Sequence, residues 1–440
     1  MQQHKTSMPS IIAFFIKKNN LVYNEYMTNK TVTTQVAISG GGPAGIMLGY
    51  LLARSGIDVV ILEKWPDFFR DFRGDTIHPS TMENLHELGI LEKFLKLPHA
   101  KTRQIETSIN GESFVIADFT HLPVHEPYLA FIPQWDFLNF ITEEARQYPH
   151  FHLRMETEAT DIIERNGKIV GIHAKDSGGD FKIEAELTVA ADGRHGVLRP
   201  KSGLESEDLG APIDVLWFRI YRVKSDPKDS LGRIERGLMM PMINRIDYWQ
   251  CGFIIAKGEF VHIKERGLEA FQQNILRLAP FIGERVKEIS DWEKVKLLSV
   301  SVEHLTKWYR DGFLAIGDAA HTMSPIGGVG INFAIQDAVA TANILVPAFL
   351  HGGVTLQDLE AVQKRREFPA RMTQRAQIFI HNKVMLNILT DTGDRTPLRL
   401  PFILKLFQWF PFVRRIPARI IGIGIRPEHI QTKEEQTTGA

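Results

Sequence analysis

The stretch VAISGGGPAG at 36–45 constrains this chain more than any other part of it. A short apolar run rich in β-formers ends in Gly40-x-Gly42-x-x-Gly45. A helical pattern follows, AGIMLGYLLARSG, with Ile46, Leu48, Leu51 and Leu52 on one side and Gly56 as a C-terminal cap. A second strand, DVVILEK, then delivers Glu63, 18 residues after Gly45. A glycine triplet alone is an ordinary turn. Strand, glycine turn, helix, strand and acid in this order describe a dinucleotide site. Gly40 permits the tight turn, Gly42 lets backbone approach a pyrophosphate, and Gly45 lets helix and strand pack closely. Glu63 is placed to accept from ribose hydroxyls. The pyrophosphate would rest on the helix N-terminus, where free N–H groups and the helix dipole favour negative charge.

Downstream, Pro79 opens a helical pattern with Ser80 as cap and Leu85, Leu88 and Leu91 on one face. RQIETSINGESFVIADF reads as a hairpin turning at Asn110-Gly111, and PQWDFLNFITEEARQY as a helix. Several short strands then lead to ELTVAADG, which ends in Asp192-Gly193. Residues 213–310 are mainly β and rich in aromatics, with one helix near 265–278. They predict an inserted sheet that walls a substrate cavity. Strand aromatics usually serve the core, so Trp217, Tyr221, Tyr248 and Trp249 receive no substrate role.

A second glycine-rich turn, GDAAHTMSPIGGVGIN, stands at 317–332. A buried strand, GFLAIGD, precedes it and a helix from about Ile331 follows, ending at Gly352-Gly353. Asp318 therefore lies at the carboxyl end of a strand, where open α/β sheets bind ligands. Gly327, Gly328 and Gly330 remove side chains, so that a planar group can lie against backbone. Two nucleotide-facing turns so far apart call for one long ligand with two ends. His321 is expected to pack the loop rather than to catalyse. Another helix, over 356–390, is expected to bend or break at Pro369.

Three motifs in order, GGGPAG with Glu63, ADGRHGVLR at 191–199, and GDAAHTMSPIGGVGIN, resemble the flavin-dependent aromatic monooxygenases typified by para-hydroxybenzoate hydroxylase. That group also includes ubiquinone-biosynthesis hydroxylases. The resemblance covers about 35–350. It implies FAD as cofactor and NADH or NADPH as co-substrate, the latter bound transiently without a glycine motif of its own. It also implies O₂ and a small, aromatic or otherwise electron-rich, lipophilic substrate, hydroxylated through a C4a-hydroperoxide of the reduced flavin. Position by position, Gly40, Gly42 and Gly45 would hold the pyrophosphate and Glu63 the adenosine ribose. Gln134 would contact the flavin chain, and Arg73 would lie near the flavin and the incoming nicotinamide. Asp192, Gly193 and Arg199 match a motif for FAD and pyridine-nucleotide contacts. Asp318 would bond the ribityl or pyrophosphate end, and the backbone of Gly330, Ile331 and Asn332 would meet the pyrimidine edge. Pro325 would lie beside flavin and substrate. Two positions depart from the pattern: Gly196 stands where a serine is usual, and Val329 where a glutamine is common. A reductase or dehydrogenase of the same fold is the alternative, and a non-catalytic flavin-binding protein a more distant one. The W-x-W-x-I-P run expected of flavin-dependent halogenases does not occur.

The implied fold class is α/β with an α+β insert. A Rossmann-like FAD-binding domain would take 35–205 and 311–352, and a mainly β substrate domain 206–310. Helices and a tail would fill 353–440, and an extension 1–34. Within that extension IIAFFI runs straight into KKNN, too short for a signal peptide or anchor. Lys plus Arg and Asp plus Glu both number 52, so no basic field for nucleic acid exists. One cysteine, Cys251, leaves no internal disulfide and no multi-cysteine metal site, and suits a reducing, cytoplasmic compartment. Arg365, Arg366, Arg371 and Arg375 read as a solvated helix face, and His78 as a surface or loop residue. Residues 395–427 contain no Asp or Glu but many arginines and aromatics, cut by Pro401, Pro411 and Pro417. Two readings stand for that segment: peripheral membrane contact, or aromatics closing the core beneath the FAD domain.

Overall fold

A computed structural model describes residues 31–69, 76–227, 231–389, 397–398 and 402–435. Two sheets organise it. In the first, the path runs Tyr309–Arg310, Phe313–Ala315, Gly179–Ala190, Thr31–Ser39, Val59–Leu62 and Phe151–Arg154. The pairings from Phe313–Ala315 to Phe151–Arg154 are all parallel. The register aligns Ser39 with Leu62 and with Ala190, and Ala190 with Ala315. Gly40, Glu63, Ala191-Asp192 and Ile316-Gly317 therefore emerge together just past the carboxyl ends, the edge where such sheets bind ligands. The first strand begins at Thr31, inside the stretch assigned above to an extension. Thr31, Val32, Thr33 and Thr34 are all β-branched and pair with Lys182 through Ala185.

The helix Pro43–Arg54 is buried from Ala44 to Ala53. It packs against Gly330–Leu350, another largely apolar helix. A Cβ on Gly317 would meet the Ala44 Cβ at 3.1 Å and the Ala334 Cβ at 3.5 Å, so small residues bring the two glycine turns together.

The second sheet has seven strands in the order Lys296–Ser299, Ile213–Tyr221, Tyr248–Ala256, Leu238–Asn244, Leu231–Glu235, Gln104–Ile109 and Glu112–Asp118. The hairpin Gln104–Asp118 turns at Asn110 and Gly111, both in the left-handed region at φ 52° and 86°. It extends the second sheet, through a parallel pairing with Leu231–Glu235. One face of this sheet holds Phe218, Trp249 and Cys251 against the helix Leu268–Leu278. The other face carries Val215, Met239 and Ile254, which pack with Trp217, Ile326 and Met385.

Helix Leu356–Ile380 continues through Pro369, and the irregularity comes later, as one wide turn over His381–Met385. Beyond it, Phe402–Trp409 and Arg415–Gly422 lie on the hairpin strand Glu112–Asp118. A tail then runs back over the first domain. Asn84 Nδ2 donates to Glu428 O at 2.8 Å, Gln431 N to Asn343 Oδ1 at 2.9 Å, and Arg54 to Thr432 O at 3.1 Å.

Candidate functional site

The first glycine turn is a piece of close main-chain packing with one open face. Gly40 sits at φ 105°, and a Cβ there would lie 2.4 Å from Ala191 O. A Cβ on Gly45 would lie 2.0 Å from Gly40 O. At Gly42 the nearest atom to an added Cβ is Ala191 O, at 4.0 Å. Gly40 and Gly45 are thus small because backbone meets backbone, whereas Gly42 leaves space before the helix N-terminus. Pro43 opens that helix, and no side chain caps it. Glu63 closes the far side. Its Oε2 accepts from Gly41 N and its Oε1 from Trp65 N, each at 3.1 Å.

Asp192 lies against the same turn, its Cα 2.7 Å from a Cβ built on Gly40. Its Oδ2 accepts from Ser39 Oγ and Leu198 N, both at 3.2 Å, while Oδ1 is buried without a protein partner. Burial raises this carboxyl's pKa, against hydrogen bonds that lower it. The carboxylate also accounts for Gly196, since a Cβ there would fall 2.0 Å from Asp192 Oδ1. A serine cannot stand at 196 with the carboxylate where it is. Arg199 is buried and donates to Glu303 Oε2 at 2.9 Å. Next to this loop a cleft of about 660 Å³ is lined by Arg194, His195, Lys257 and Asn382 among others.

The second glycine turn is held by buried side chains. Asp318 is exposed just past the strand Phe313–Ala315. Beneath it, the Asp337 carboxylate accepts from Gly317 N at 2.9 Å, from His321 Nε2 at 2.7 Å and from Arg366 Nε at 2.9 Å. Burial alone would raise the Asp337 pKa; His321 and Arg366 outweigh it and hold the carboxyl below its ordinary value. Arg366 also reaches Glu428 Oε1 at 3.2 Å. His321 thus has the packing role read from the sequence, but Arg366 does not lie on a solvated face: it is 2% exposed. Its helix turns that side inward, and the buried Asp337 and Glu428 compensate its charge.

Further along, Gly330 begins its helix with nothing within 4 Å of an added Cβ. Phe333 N is bonded to Val329 O, which leaves the amides of Gly330, Ile331 and Asn332 as the unsatisfied first turn. The Asn332 side chain is committed elsewhere. Its Oδ1 accepts from His78 N at 2.9 Å and Thr81 Oγ1 at 2.7 Å, and its Nδ2 donates to Thr76 O at 3.1 Å. His78 is buried rather than superficial, at 1% exposure, because Pro79 starts a helix directly beneath this loop. Its Nδ1 donates to Ile421 O at 2.7 Å, and burial pushes its pKa down to about 4. Pro325 is half-buried between Ser324 and Ile326. Gln377 brackets this turn, accepting from Ser324 N and donating to the carbonyls of Ser324 and Ile326, each at 3.0 Å. Gln134 lies half-buried at the start of helix Gln134–Ala145. The strand before that helix pairs Phe131 with Thr76, next to Gly328. Arg73 lies outside the described residues. Among the described residues no cluster of His, Cys, Asp and Glu could hold a metal.

The sheet edge thus gathers Gly40, Gly42, Gly45, Glu63, Asp192 and Asp318 around two open helix starts, a cradle fit for an extended dinucleotide. The class this defines is that of the flavin-binding oxidoreductases. Residues 33–376 match the FAD binding domain family, and the chain belongs to it. It is 29% identical over 392 residues to 6-methylpretetramide 4-monooxygenase of Streptomyces rimosus, covering 88% of this chain and 92% of that one. The crystal structure of p-nitrophenol 4-monooxygenase PnpA from Pseudomonas putida DLL-E4 superimposes with a TM-score of 0.70 at 19% identity, covering 88% of this chain and 97% of that one. The flavin-dependent brominase Bmp2 superimposes equally well, with a TM-score of 0.70 at 17% identity over 90% of this chain and 95% of that one. The shared fold by itself therefore does not select the reaction.

Proposed function

We propose that this FAD-dependent monooxygenase uses NADH or NADPH and dioxygen to hydroxylate an aromatic, electron-rich, lipophilic small molecule. The observation that carries this reading is the convergence of three distant glycine motifs on one sheet edge, with an apolar wall beside the last of them. The likeness to a 4-monooxygenase along nearly the whole chain supports the reaction class. Bound FAD supplies hydride acceptance and oxygen activation. The chain supplies the rest. Gly40, Gly42, Gly45 and the Pro43–Arg54 helix start receive the pyrophosphate, and Glu63 the adenosine ribose. Asp318 and the amides of Gly330, Ile331 and Asn332 receive the flavin end. Gln134 and Asp192 complete its surroundings. Pro325 would lie beside flavin and substrate, and the neighbouring cluster of Met239, Ile254, Trp217 and Ile326 would keep water from them. Arg194 and Lys257 in the adjoining cleft offer cationic groups to a pyridine nucleotide.

The test is a screen of phenolic, quinone-like and polyketide compounds for stimulated NAD(P)H oxidation by the FAD-loaded protein, with isotopically labelled dioxygen. Label in the product establishes the monooxygenase. Full turnover under anaerobic conditions, with no label taken up, would establish a reductase instead.

A further inference from the structure

The segment that follows Phe402 has two faces. On the inner face Leu404 packs with Ile109 and Phe114, and Ala418 with Phe119 and Leu122. Gly422 fits so tightly that a Cβ would lie 2.8 Å from Leu122 Cδ1. The outer face carries Phe402, Trp409, Phe410, Phe412, Ile416 and Ile420, all exposed, with Trp409 and Phe412 each at 62%. Of the aromatics in this segment Phe407 packs against the core, and Phe402, Trp409, Phe410 and Phe412 are on the surface. Lys405, Arg415, Arg419 and Arg426 are exposed among them, and no Asp or Glu occurs from 395 to 427.

An apolar patch of this size facing only water leaves hydrophobic stabilisation unused, so it marks a contact surface. Its charge decides what it contacts. A second copy meeting it face to face would bring arginine against arginine. The two helices, of eight residues each, are far below the roughly 20 residues needed to span a bilayer. Helix Ile326–Leu350 has the required length and apolarity, but it is mostly buried within the fold. Aromatic and aliphatic side chains interleaved with arginines fit the headgroup layer, where the rings reach the acyl boundary and the cations meet phosphate.

We propose that the outer face of 402–426 docks flat on an anionic phospholipid surface. The inference does not depend on the reaction proposed above. The FAD-loaded protein is sedimented with vesicles of phosphatidylcholine containing phosphatidylglycerol, with vesicles of phosphatidylcholine alone, and without vesicles. It should pellet with the anionic vesicles at low salt and be released at high salt. Arg415→Gln with Arg419→Gln should weaken partitioning by roughly tenfold or more, from about one kcal/mol for each arginine near the surface. Trp409→Ser with Phe412→Ser should weaken it further, and both variants should keep their flavin absorbance. Protein left in the supernatant with anionic vesicles at low salt overturns the proposal. So does undiminished binding by the arginine variant, or pelleting without vesicles, which would make a second copy the occupant.

Discussion

A single carbon added at Gly40 would sit 2.4 Å from a carbonyl oxygen, whereas at Gly330 it would meet nothing within 4 Å. Both glycines belong to turns at the same sheet edge. The first turn is held by main chain: Gly45 against Gly40, and Gly40 against Ala191. The second is held from behind by side chains, Asp337, Arg366, Asn332 and Gln377, and Gly330 keeps a surface clear. Where backbone meets backbone, as at Gly40 and Gly45, no side chain fits. Gly330, in the turn held by buried polar groups, has room for a methyl group, but that turn depends on distant supports.

The largest effect should follow Gly40→Ala. A displaced backbone costs about 1–3 kcal/mol and a left-handed alanine about 1–2 kcal/mol more, so stability should fall by up to about 5 kcal/mol, with loss of FAD. Thermal melting and flavin content check this. Arg366→Ala comes next. It removes the cation between two buried carboxylates, leaving Asp337 to His321 and Glu428 to Arg365, at about 3 kcal/mol, though no atom of Arg366 belongs to the cradle. If this variant melts like the parent, the second turn is not held as described.

The third test uses acid. The folded pKa of His78, about 4, lies below the ordinary 6.5, so the unfolded chain takes up the proton first as pH falls. The contribution is whole above 6.5 and is lost between 6.5 and 4, up to about 3 kcal/mol. Burial lowers His304 and His381 too, and they add to the loss. His78→Gln keeps a donor for Ile421 O but takes no proton, so denaturant titrations across that range should show a shallower acid loss. The smallest effect on stability belongs to Gly330→Ala, within about 0.5 kcal/mol. Its FAD retention should nevertheless weaken by roughly tenfold, the order of one misplaced methyl group in a close-fitting site. Equal effects of Gly40→Ala and Gly330→Ala on melting would erase the contrast between the turns.

The same contrast explains what the sequence disclosed. The first turn was legible because its constraint is written in glycines at fixed spacing between a strand and a helix. The second turn's glycines and Asp318 were legible, but its supports were not. Arg366, Gln374 and Gln377 lie on a helix rich in charge, and only the fold reveals that they face inward, Arg366 onto the Asp337 carboxylate and the two glutamines onto the loop's backbone. His78 read as superficial because nothing local tells that Ile421 closes over it. The hairpin at Asn110-Gly111 was plain from its turn residues, yet its membership of the second sheet depends on a pairing with Leu231–Glu235, more than a hundred residues away. Thr31 to Thr34 carry no apolar strand signal of their own, because the apolar run starts only at Val36.

The tail that crosses the first domain also sets an order of assembly. Glu428, which compensates Arg366 and thereby Asp337, follows Gln336 by 92 residues. During synthesis the first turn has every contact it needs once the strand ending at Ala190 and its Ala191 carbonyl have left the ribosome. The second turn still lacks a buried countercharge when its own helix is complete. A nascent chain therefore carries a finished first turn and an unfinished second one until Arg366 and Glu428 have been made.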